Sequence, residues 1–304
     1  MLMTKVGLVI LHFNNSDLTE ACLVSVKQLE TKGFKLEVIV VNNNPLEKID
    51  FLKKKFPEFI FLKTPENLGY AAGNNFGLKR ALKDGVDFVL LFNNDTLLDE
   101  KLIKELLKTA QKDPKIGILA PKIYFAPGHE FHQQRYQEKD KGRVIWYAGG
   151  LIDWQNVIAS HRGVDEVDEG QYNQPRMTDF ASGCAMLVGK EVFKAIGFFD
   201  EKYFLYLEDV DFCRRAQKDG FKIFYVPTAM LWHLNAGSSE VGGSLHDYYL
   251  TRNRLLFGFK YASLKTRLAL FRESLRLLAF GRLYQKKGVS DFYLRRFGQA
   301  GFKL

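Results

Sequence analysis

Cysteine is scarce in this chain of 304 residues, and long apolar runs are missing. Cys22, Cys184 and Cys213 lie far apart and form no C-x-x-C pair. This argues against a zinc ribbon or a disulfide framework, and it favours a reducing compartment. No stretch reaches the roughly 18 apolar residues that a membrane-spanning helix needs. With 46% hydrophobic residues, the sequence predicts a globular cytoplasmic protein with a large buried core.

Basic charge is concentrated at one end of the chain. Residues 255–304 contain eleven Lys and Arg against two acidic residues, a surplus equal to the net charge of +9. Apolar residues recur there at spacings of four and three, at Leu264, Leu268, Phe271, Leu275 and Leu278. The pattern predicts a basic amphipathic helix. Such a helix lies either on an anionic membrane surface, here the inner face of the cell membrane, or against the protein body with its basic face in water.

The first 120 residues alternate strand and helix patterns. Continuous apolar runs at Val6–Phe13, Leu36–Val41 and Phe88–Phe92 predict strands that are covered on both faces. The first helix is predicted to begin at a capping box formed by Asp17 and Glu20. Alternation of this kind indicates a mostly parallel sheet, in which ligands bind beyond the carboxyl ends of the strands.

Asparagine follows three of the predicted strands, in the segments 14–15, 42–44 and 93–95. Asp95 ends the third segment, and a carboxylate there can hold a divalent cation that bridges a diphosphate. The alternative is an ordinary turn, in which Asn and Asp tolerate unusual backbone angles.

A segment of small residues, Asn67–Asn75, leads into a helix predicted over Asn74–Leu82. Small residues permit close backbone approach, and the N-terminus of a helix attracts phosphate. The segment is neither a Walker loop nor a G-x-G-x-x-G fingerprint, so a capped helix start is the alternative.

Glu208, Asp209 and Asp211 begin a further predicted helix that extends to Lys218. Asp209 can act as a general base towards a hydroxyl group, whereas capping of the helix is the alternative role. Asp211 points to the opposite side and is predicted to pair with arginines one turn later. His233, after an apolar strand, is either structural or a metal or phosphate ligand.

In their order along the chain, these segments resemble the family 2 glycosyltransferases of the GT-A fold, especially the rhamnosyltransferase-like members. The resemblance covers roughly residues 5–257. It rests on VGLVILHFNN, VIVVNNN, ENLGYAAGNNFGLKRAL, FVLLFNNDT, the stretch from FASGCAMLVG to FYVP, and LWHLNAGS. It implies a Rossmann-like α/β fold with a mostly parallel central sheet and helices on both faces. Residues 1–120 would form the nucleotide-sugar-binding half, residues 121–257 the acceptor-binding half and residues 258–304 a basic helical tail.

The resemblance also implies roles for single residues. Asp209 matches the catalytic base, with Glu208 assisting at the acceptor. Asp95 matches the principal ligand of a divalent cation, Mn²⁺ or Mg²⁺, which His233 completes. Arg252 lies in a tail motif near the diphosphate. The remaining residues implied to bind the nucleotide sugar are Phe13, Asn14, Asn42, Asn44, Asn67, Gly69, Ala72, Gly73, Asn74 and Asn94.

The implied activity is the inverting transfer of rhamnose or another hexose from a dTDP- or UDP-linked donor. The acceptor would be a hydroxyl of a cell-envelope or lipid-linked glycan. One alternative is a sugar nucleotidyltransferase, but residues 12–17 lack a basic, glycine-rich phosphate loop. The other is a non-catalytic module that binds sugars or nucleic acid. Nucleic acid is not expected as a partner, because the acidic helix start and the asparagine-lined strand ends suit a phosphate backbone poorly.

Overall fold

Strands and helices alternate along the first half of the chain, as its apolar pattern predicts. The computed structural model describes residues 3–235 and 243–300. The last part of the stretch LWHLNAGS, residues 236–238, lies outside the described residues. The strands are β1 (Thr4–His12), β2 (Phe34–Asn42), β3 (Ile60–Lys63), β4 (Phe88–Asn93), β5 (Thr96–Leu98), β6 (Ile116–Phe125), β7 (Ile145–Tyr147), β8 (Gly150–Asp153), β9 (Ile158–His161), β10 (Arg176–Met177), β11 (Ala185–Gly189) and β12 (Lys222–His233).

Helices connect the strands and then form the C-terminal part of the chain. Two short 3₁₀ helices lie between β6 and β7. The α-helices are α1 (Ser16–Lys27), α2 (Asp50–Lys55), α3 (Gly69–Lys83), α4 (Leu102–Ala110), α5 (Lys190–Ile196), α6 (Glu208–Lys218), α7 (Ser244–Tyr261), α8 (Leu264–Phe280) and α9 (Leu283–Tyr293).

A single large sheet carries the candidate site. Its strand order is β10-β12-β6-β11-β4-β1-β2-β3, with β5 added at β12 and β7 added at β6. The pairs β1–β2, β1–β4, β2–β3 and β6–β12 are parallel, whereas β11 is antiparallel to both of its neighbours. The predicted mostly parallel α/β architecture is therefore confirmed.

The connections explain where a ligand can bind. The chain moves from β1 to β2 and β3 in one direction, and then returns across them to β4 on the other side of β1. Because such crossovers are right-handed, α1 and α2 cover one face of the sheet and α3 covers the other. Strand order reverses between β1 and β4, and the carboxyl ends of strands at such a point border a crevice.

The buried strand β6 is absent from the sequence-based prediction. All of its residues are buried, but it contains Pro121, which argues against a central strand because proline has no N–H to donate. The structure accommodates Pro121 where the pairing with β12 becomes irregular, between Val226 and Met230. For the same reason, β12 is a single irregular strand rather than two separate ones.

Two predicted helix starts are wrong. The capping box of Asp17 and Glu20 does not form, because α1 already begins at Ser16, after Asn15 in a left-handed conformation with φ 65°. Glu20 instead forms an ion pair with Lys55. Helix α3 begins five residues before the predicted start at Asn74, so most of the small-residue segment is helical.

The basic tail is helical, as predicted. Helix α7 packs against α9, and α8 packs against both of them. Over residues 3–235 and 243–300, no helix combines the length and the apolar character needed to cross a membrane.

Candidate active site

The asparagine-rich strand ends meet at one edge of the sheet. Asn94 donates through Nδ2 to the backbone oxygen of Asn14 (3.2 Å) and to Thr19 Oγ1 (2.8 Å). Asn44 Nδ2 donates to Asn14 Oδ1 at 2.9 Å. Asn14 is exposed beside the half-buried Phe13, so both side chains border the crevice.

Asn42 has a more restricted position than its neighbours. Its side chain is buried and closes the turn after β2, donating to the Glu47 oxygen (3.0 Å) and accepting from the Asn44 N–H (3.0 Å). A small cleft beside it is lined by Asn42, Glu47, Leu62 and Lys63, among others. Asn42 therefore shapes a wall of the crevice beside this cleft.

Asn43, which sequence reasoning missed, connects the end of β2 to the start of α3 through hydrogen bonds. Its amide donates to Asn67 Oδ1 (3.2 Å) and to the Gly69 oxygen (3.1 Å), and its Oδ1 accepts from the Leu68 N–H (3.0 Å). Asn43 is only 2% exposed, so these bonds satisfy an amide that would otherwise be costly to bury. The only signal in the sequence was its place inside the three-asparagine run.

The first N–H groups of α3 bond within the protein, which favours the capped helix start over a phosphate site. The N–H groups of Tyr70 and Ala71 both donate to the Phe204 oxygen, at 2.7 and 3.3 Å, and the Gly69 N–H donates to Asn67 Oδ1 at 2.9 Å. Gly69 has a φ of +75°, and a Cβ there would lie 2.5 Å from the Phe204 ring.

The next residues of α3 also serve packing. A Cβ on Gly73 would lie 2.8 Å from Leu11 Cδ1, and Asn74 is 1% exposed. The predicted direct contacts of Gly69, Gly73 and Asn74 with the nucleotide sugar are therefore not supported. Ala72 is half-buried.

Asp95 and His233 lie together at the end of β4 and β12. Asp95 Oδ2 is 3.2 Å from His233 Nε2, because β12 pairs with β5 directly after Asp95. His233 is 6% exposed, and its buried Nδ1 has no hydrogen-bond partner among the described residues. The Trp146 ring packs edge-on against His233 with centroids 4.7 Å apart. Trp146, which sequence reasoning missed, is half-buried and forms a wall beside this pair.

The donor atoms of Asp95 and His233 fit a divalent cation. A carboxylate oxygen next to an imidazole nitrogen suits Mn²⁺, whereas Mg²⁺ prefers an all-oxygen shell. Within the described ranges, no group of three His, Cys, Asp or Glu surrounds a common point. Ligand oxygens and water would thus have to complete the coordination shell.

Asp209 lies at the start of α6, and two backbone N–H groups hold its carboxylate. Oδ2 accepts from Gly183 N at 2.8 Å, and Oδ1 accepts from Val210 N at 2.8 Å. Burial raises the pKa of Asp209, and these N–H groups oppose the rise. Tyr70 donates its hydroxyl hydrogen to the Gly183 oxygen, which fixes the same loop from the other side. The result is a half-buried, oriented carboxylate that is more basic than an ordinary aspartate.

Glu208 has a different environment from its neighbour. It is 5% exposed, and its Oε2 has no hydrogen-bond partner in the described part of the chain. Burial, and then the nearby Asp209 carboxylate, raise the pKa of Glu208 well above its ordinary value. Glu208 therefore favours the protonated state, which leaves Asp209 as the ionised member of the pair.

Asp95 and Asp209 converge on the loop that precedes β11. Gly183 of this loop bonds Asp209, and the Cys184 oxygen accepts from Asn93 N at 3.0 Å. Burial, then the Asp95 carboxylate, and also Asp209 raise the pKa of the Cys184 thiol, because both charges lie within electrostatic range of it. Since β11 is antiparallel, its beginning lies at the edge where β1 and β4 end.

The loop before α6 has an unusual backbone. Phe204, Tyr206 and Leu207 have φ values of 64°, 70° and 68°, a region that non-glycine residues rarely adopt. Asn253 of α7 holds this loop, because its Nδ2 is within hydrogen-bond distance of three backbone oxygens. These oxygens belong to Tyr203 (2.9 Å), Leu205 (2.7 Å) and Tyr206 (2.9 Å).

Arg252, predicted to lie near the diphosphate, is placed by the structure against the same loop. The residue is 0% exposed, and its guanidinium donates to the backbone oxygens of Lys202 (3.1 Å), Tyr203 (2.9 Å) and Gly298 (2.7 Å). The tail motif that contains Arg252 thus acts on the backbone that leads into Asp209.

Asp211 points away from the site, as its helical spacing predicts. Its Oδ2 accepts from Arg215 Nε at 2.8 Å, and its Oδ1 accepts from Lys260 Nζ (2.7 Å) and Tyr261 OH (2.8 Å). The salt bridge within α6 was expected, whereas the two partners from α7 were not.

Comparisons with known proteins point to one family. The model of the family "Glycosyl transferase family 2" matches residues 8–197. The chain is 29% identical over 195 residues to an N-acetylglucosaminyl-diphospho-decaprenol L-rhamnosyltransferase of Mycobacterium tuberculosis, covering 61% of this chain and 62% of that protein. It is 24% identical over 195 residues to the low-salt glycan biosynthesis hexosyltransferase Agl10 of Haloferax volcanii, covering 64% and 53%. It is 27% identical over 227 residues to a poly-beta-1,6-N-acetyl-D-glucosamine synthase of Staphylococcus aureus, covering 73% and 48%.

The chain therefore spans between about half and three fifths of the length of these relatives. Among solved structures, GalNAc-T7 with UDP, GalNAc and Mn²⁺ superposes with a TM-score of 0.66 at 13% identity, over 96% of this chain and 55% of that one. This likeness concerns the fold and supports the GT-A architecture. Because the family model matches more than half of the residues, the chain belongs to glycosyl transferase family 2.

Proposed function

We propose that this chain is an inverting glycosyltransferase that uses a nucleoside-diphosphate sugar. The observation that carries the proposal is the convergence of Asp95 and Asp209 on the Gly183–Cys184 loop. Residues 1–120 would hold the donor and residues 121–257 the acceptor. The family and the named relatives support rhamnose or another hexose as the sugar, and a cell-envelope or lipid-linked glycan as the acceptor.

In the proposed reaction, Asp209 takes the proton of an acceptor hydroxyl as that oxygen attacks the anomeric carbon. The bond between this carbon and the diphosphate oxygen breaks, and its electron pair leaves with the nucleoside diphosphate. Attack from the side opposite the leaving group inverts the anomeric configuration. The raised pKa of Asp209 suits it to this role, since a stronger base accepts the proton more readily.

Asp95 and His233 are the residues that would hold a divalent cation. When bound, the cation would offset charge on the departing diphosphate. Asn14, Asn44 and Asn94 are the polar side chains that the structure gathers at the crevice, and we assign them to orientation of the donor. The cleft beside Asn42 is the proposed place for the base of a dTDP- or UDP-linked donor.

Arg252 and Asn253 are proposed as positioning residues, because they hold the backbone of the loop that leads into Asp209. Trp146 is the proposed platform for the acceptor sugar, since its half-buried ring next to His233 offers an apolar surface for a sugar ring.

A donor panel tests the proposal. Purified protein is incubated with dTDP-rhamnose and UDP-hexoses, with Mn²⁺ or Mg²⁺, and release of nucleoside diphosphate is measured with and without lipid-linked glycan acceptors. We expect acceptor-dependent release with one donor, and loss of that release in Asp95→Asn. Release of pyrophosphate from a nucleoside triphosphate would instead identify a nucleotidyltransferase. Donor binding without any turnover would identify a non-catalytic module.

A further inference from the structure

Helix α8 turns its apolar stripe away from the protein. The helix packs through another side, where Thr266, Leu270 and Ser274 are buried. The residues of the stripe are between 37% and 74% exposed, which is unusual for five apolar residues on one side of a helix. We call them the tail face: Leu264, Leu268, Phe271, Leu275 and Leu278.

Two further apolar side chains are exposed near the junction of α8 and α9. Phe280 is 85% exposed and Leu283, at the start of α9, is 72% exposed. The tail face, with five exposed apolar side chains on one side of a helix, indicates an interaction site, whereas single exposed apolar residues are common on any protein.

A row of cations borders the tail face. At 100° per residue, Lys265, Arg272 and Arg276 lie together, about 100° around the helix from the apolar stripe. All three are exposed, and no carboxylate among residues 3–235 and 243–300 lies within the 4 Å of an ion pair with them. Other tail cations do have partners, such as Arg282, which pairs with Asp247.

We propose that the tail face docks on an anionic lipid bilayer, with α8 parallel to the surface. The apolar side chains enter the boundary between headgroups and acyl chains, and the row of cations meets the lipid phosphates. This inference deepens the proposed function, because a lipid-linked acceptor is presented at such a surface. A nucleic acid would match the cations but would leave the apolar stripe in water. A second copy packed through the same face would bring two rows of like charge together.

Flotation of the full chain with lipid vesicles tests the inference, without donor or acceptor in the assay. Vesicles contain phosphatidylcholine alone or phosphatidylcholine with phosphatidylglycerol. We expect binding to the anionic vesicles only, weakened by high salt. Two tail variants should each lower partitioning of the protein onto anionic vesicles by roughly tenfold or more. The apolar variant is Leu268→Gln/Phe271→Gln/Leu275→Gln, and the charge variant is Lys265→Gln/Arg272→Gln/Arg276→Gln.

Two matched control variants make the same changes elsewhere. Leu46→Gln/Phe131→Gln/Met177→Gln removes three exposed apolar side chains, and Lys108→Gln/Lys112→Gln/Lys115→Gln removes three exposed cations. Both controls should bind anionic vesicles like the unaltered chain.

Absence of vesicle binding by the unaltered chain, or equal binding by the tail and control variants, would overturn the proposal. A dimer that the apolar tail variant converts to a monomer, seen by light scattering without vesicle binding, would assign the face to a second copy. Because sugar transfer is not part of the assay, docking is measured even if the proposed reaction is wrong. Conversely, nucleoside diphosphate release with a soluble acceptor tests the reaction independently of docking.

Discussion

The two sides of the candidate site are built from different chemistry. On the donor side, neutral amides of Asn14, Asn44 and Asn94 bond to each other and to the backbone. On the other side, Glu208 and Asp209 bring two carboxyl groups into a buried place, where burial raises the pKa of both. Under the proposed function, the asparagines of the donor side would orient the donor without titrating, whereas the acidic side would supply proton chemistry that depends on pH.

The largest expected effect is on the acidic side. Asp209→Asn keeps the size of the side chain but removes the base, so kcat should fall by about 10²–10⁴-fold. Donor affinity should stay within about threefold of the unaltered value, because the amide can still accept from Gly183 N. Steady-state kinetics and donor titration measure the two quantities. Transfer near the original rate would refute the assignment of the base.

Arg252→Lys tests whether the acidic side depends on its support. Lysine cannot reproduce the fork that bonds Lys202, Tyr203 and Gly298, so the loop before Asp209 should shift. We expect kcat to fall by about 10- to 100-fold with little change in the donor KM.

Arg254→Lys is the control for this variant, because Arg254 is partly exposed and pairs with Glu273 away from the loop. A change in thermal stability alone, with kcat unaltered, would reduce Arg252 to a structural residue. Movement of the acid limb of the pH profile in Arg252→Lys would support the proposal that Arg252 positions Asp209.

Glu208→Gln tests the pH dependence. The raised pKa of Glu208 means that the unfolded chain releases this proton first as pH rises, so wild-type stability falls above the ordinary carboxyl range. Glutamine does not titrate, so the Tm of the variant relative to wild type should be higher at pH 8 than at pH 5, by about 2 °C or more.

Because Glu208 favours the protonated state and carries no charge while Asp209 titrates, the same change should leave the acid limb of kcat at the same pH. Thermal melts and pH–rate profiles check both expectations. A Tm difference that is constant between pH 5 and pH 8 would contradict them.

The smallest effects are expected on the donor side. Asn14→Ala and Asn44→Ala each remove one exposed hydrogen bond, which is worth about 0.5–1.5 kcal/mol. We expect the donor KM to rise by a few-fold, with a pH profile that matches the unaltered protein. A shift of the pH profile in either variant would break the contrast between the two sides.

Sequence reasoning was accurate where local pattern and packing agree. The apolar runs before Asn14, Asn42 and Asn93 are strands of the parallel sheet, and α6 has the bounds that were predicted. It failed at β6, because Pro121 argues against a central strand in the sequence. The structure tolerates this proline only because the pairing of β6 with β12 is irregular there.

The site was predictable only in part. The meeting of the asparagine-rich strand ends follows from the topology of parallel sheets. The function of Arg252 does not follow from the topology. A buried arginine that bonds backbone oxygens has the same sequence signature as one that binds phosphate. The small residues of α3 were ambiguous for a similar reason, since Gly69 makes room for Phe204 rather than for a ligand.

The bond between Arg252 and Gly298 has a practical consequence. Gly298 also donates its N–H to the Lys202 oxygen at 2.9 Å, so the end of the described chain is bonded to the backbone that leads into Asp209, the proposed base. A truncation that removes residue 298 would disable catalysis while the sheet stays folded. An affinity tag is therefore better placed at the other end, and truncation series should be judged by turnover as well as by melting.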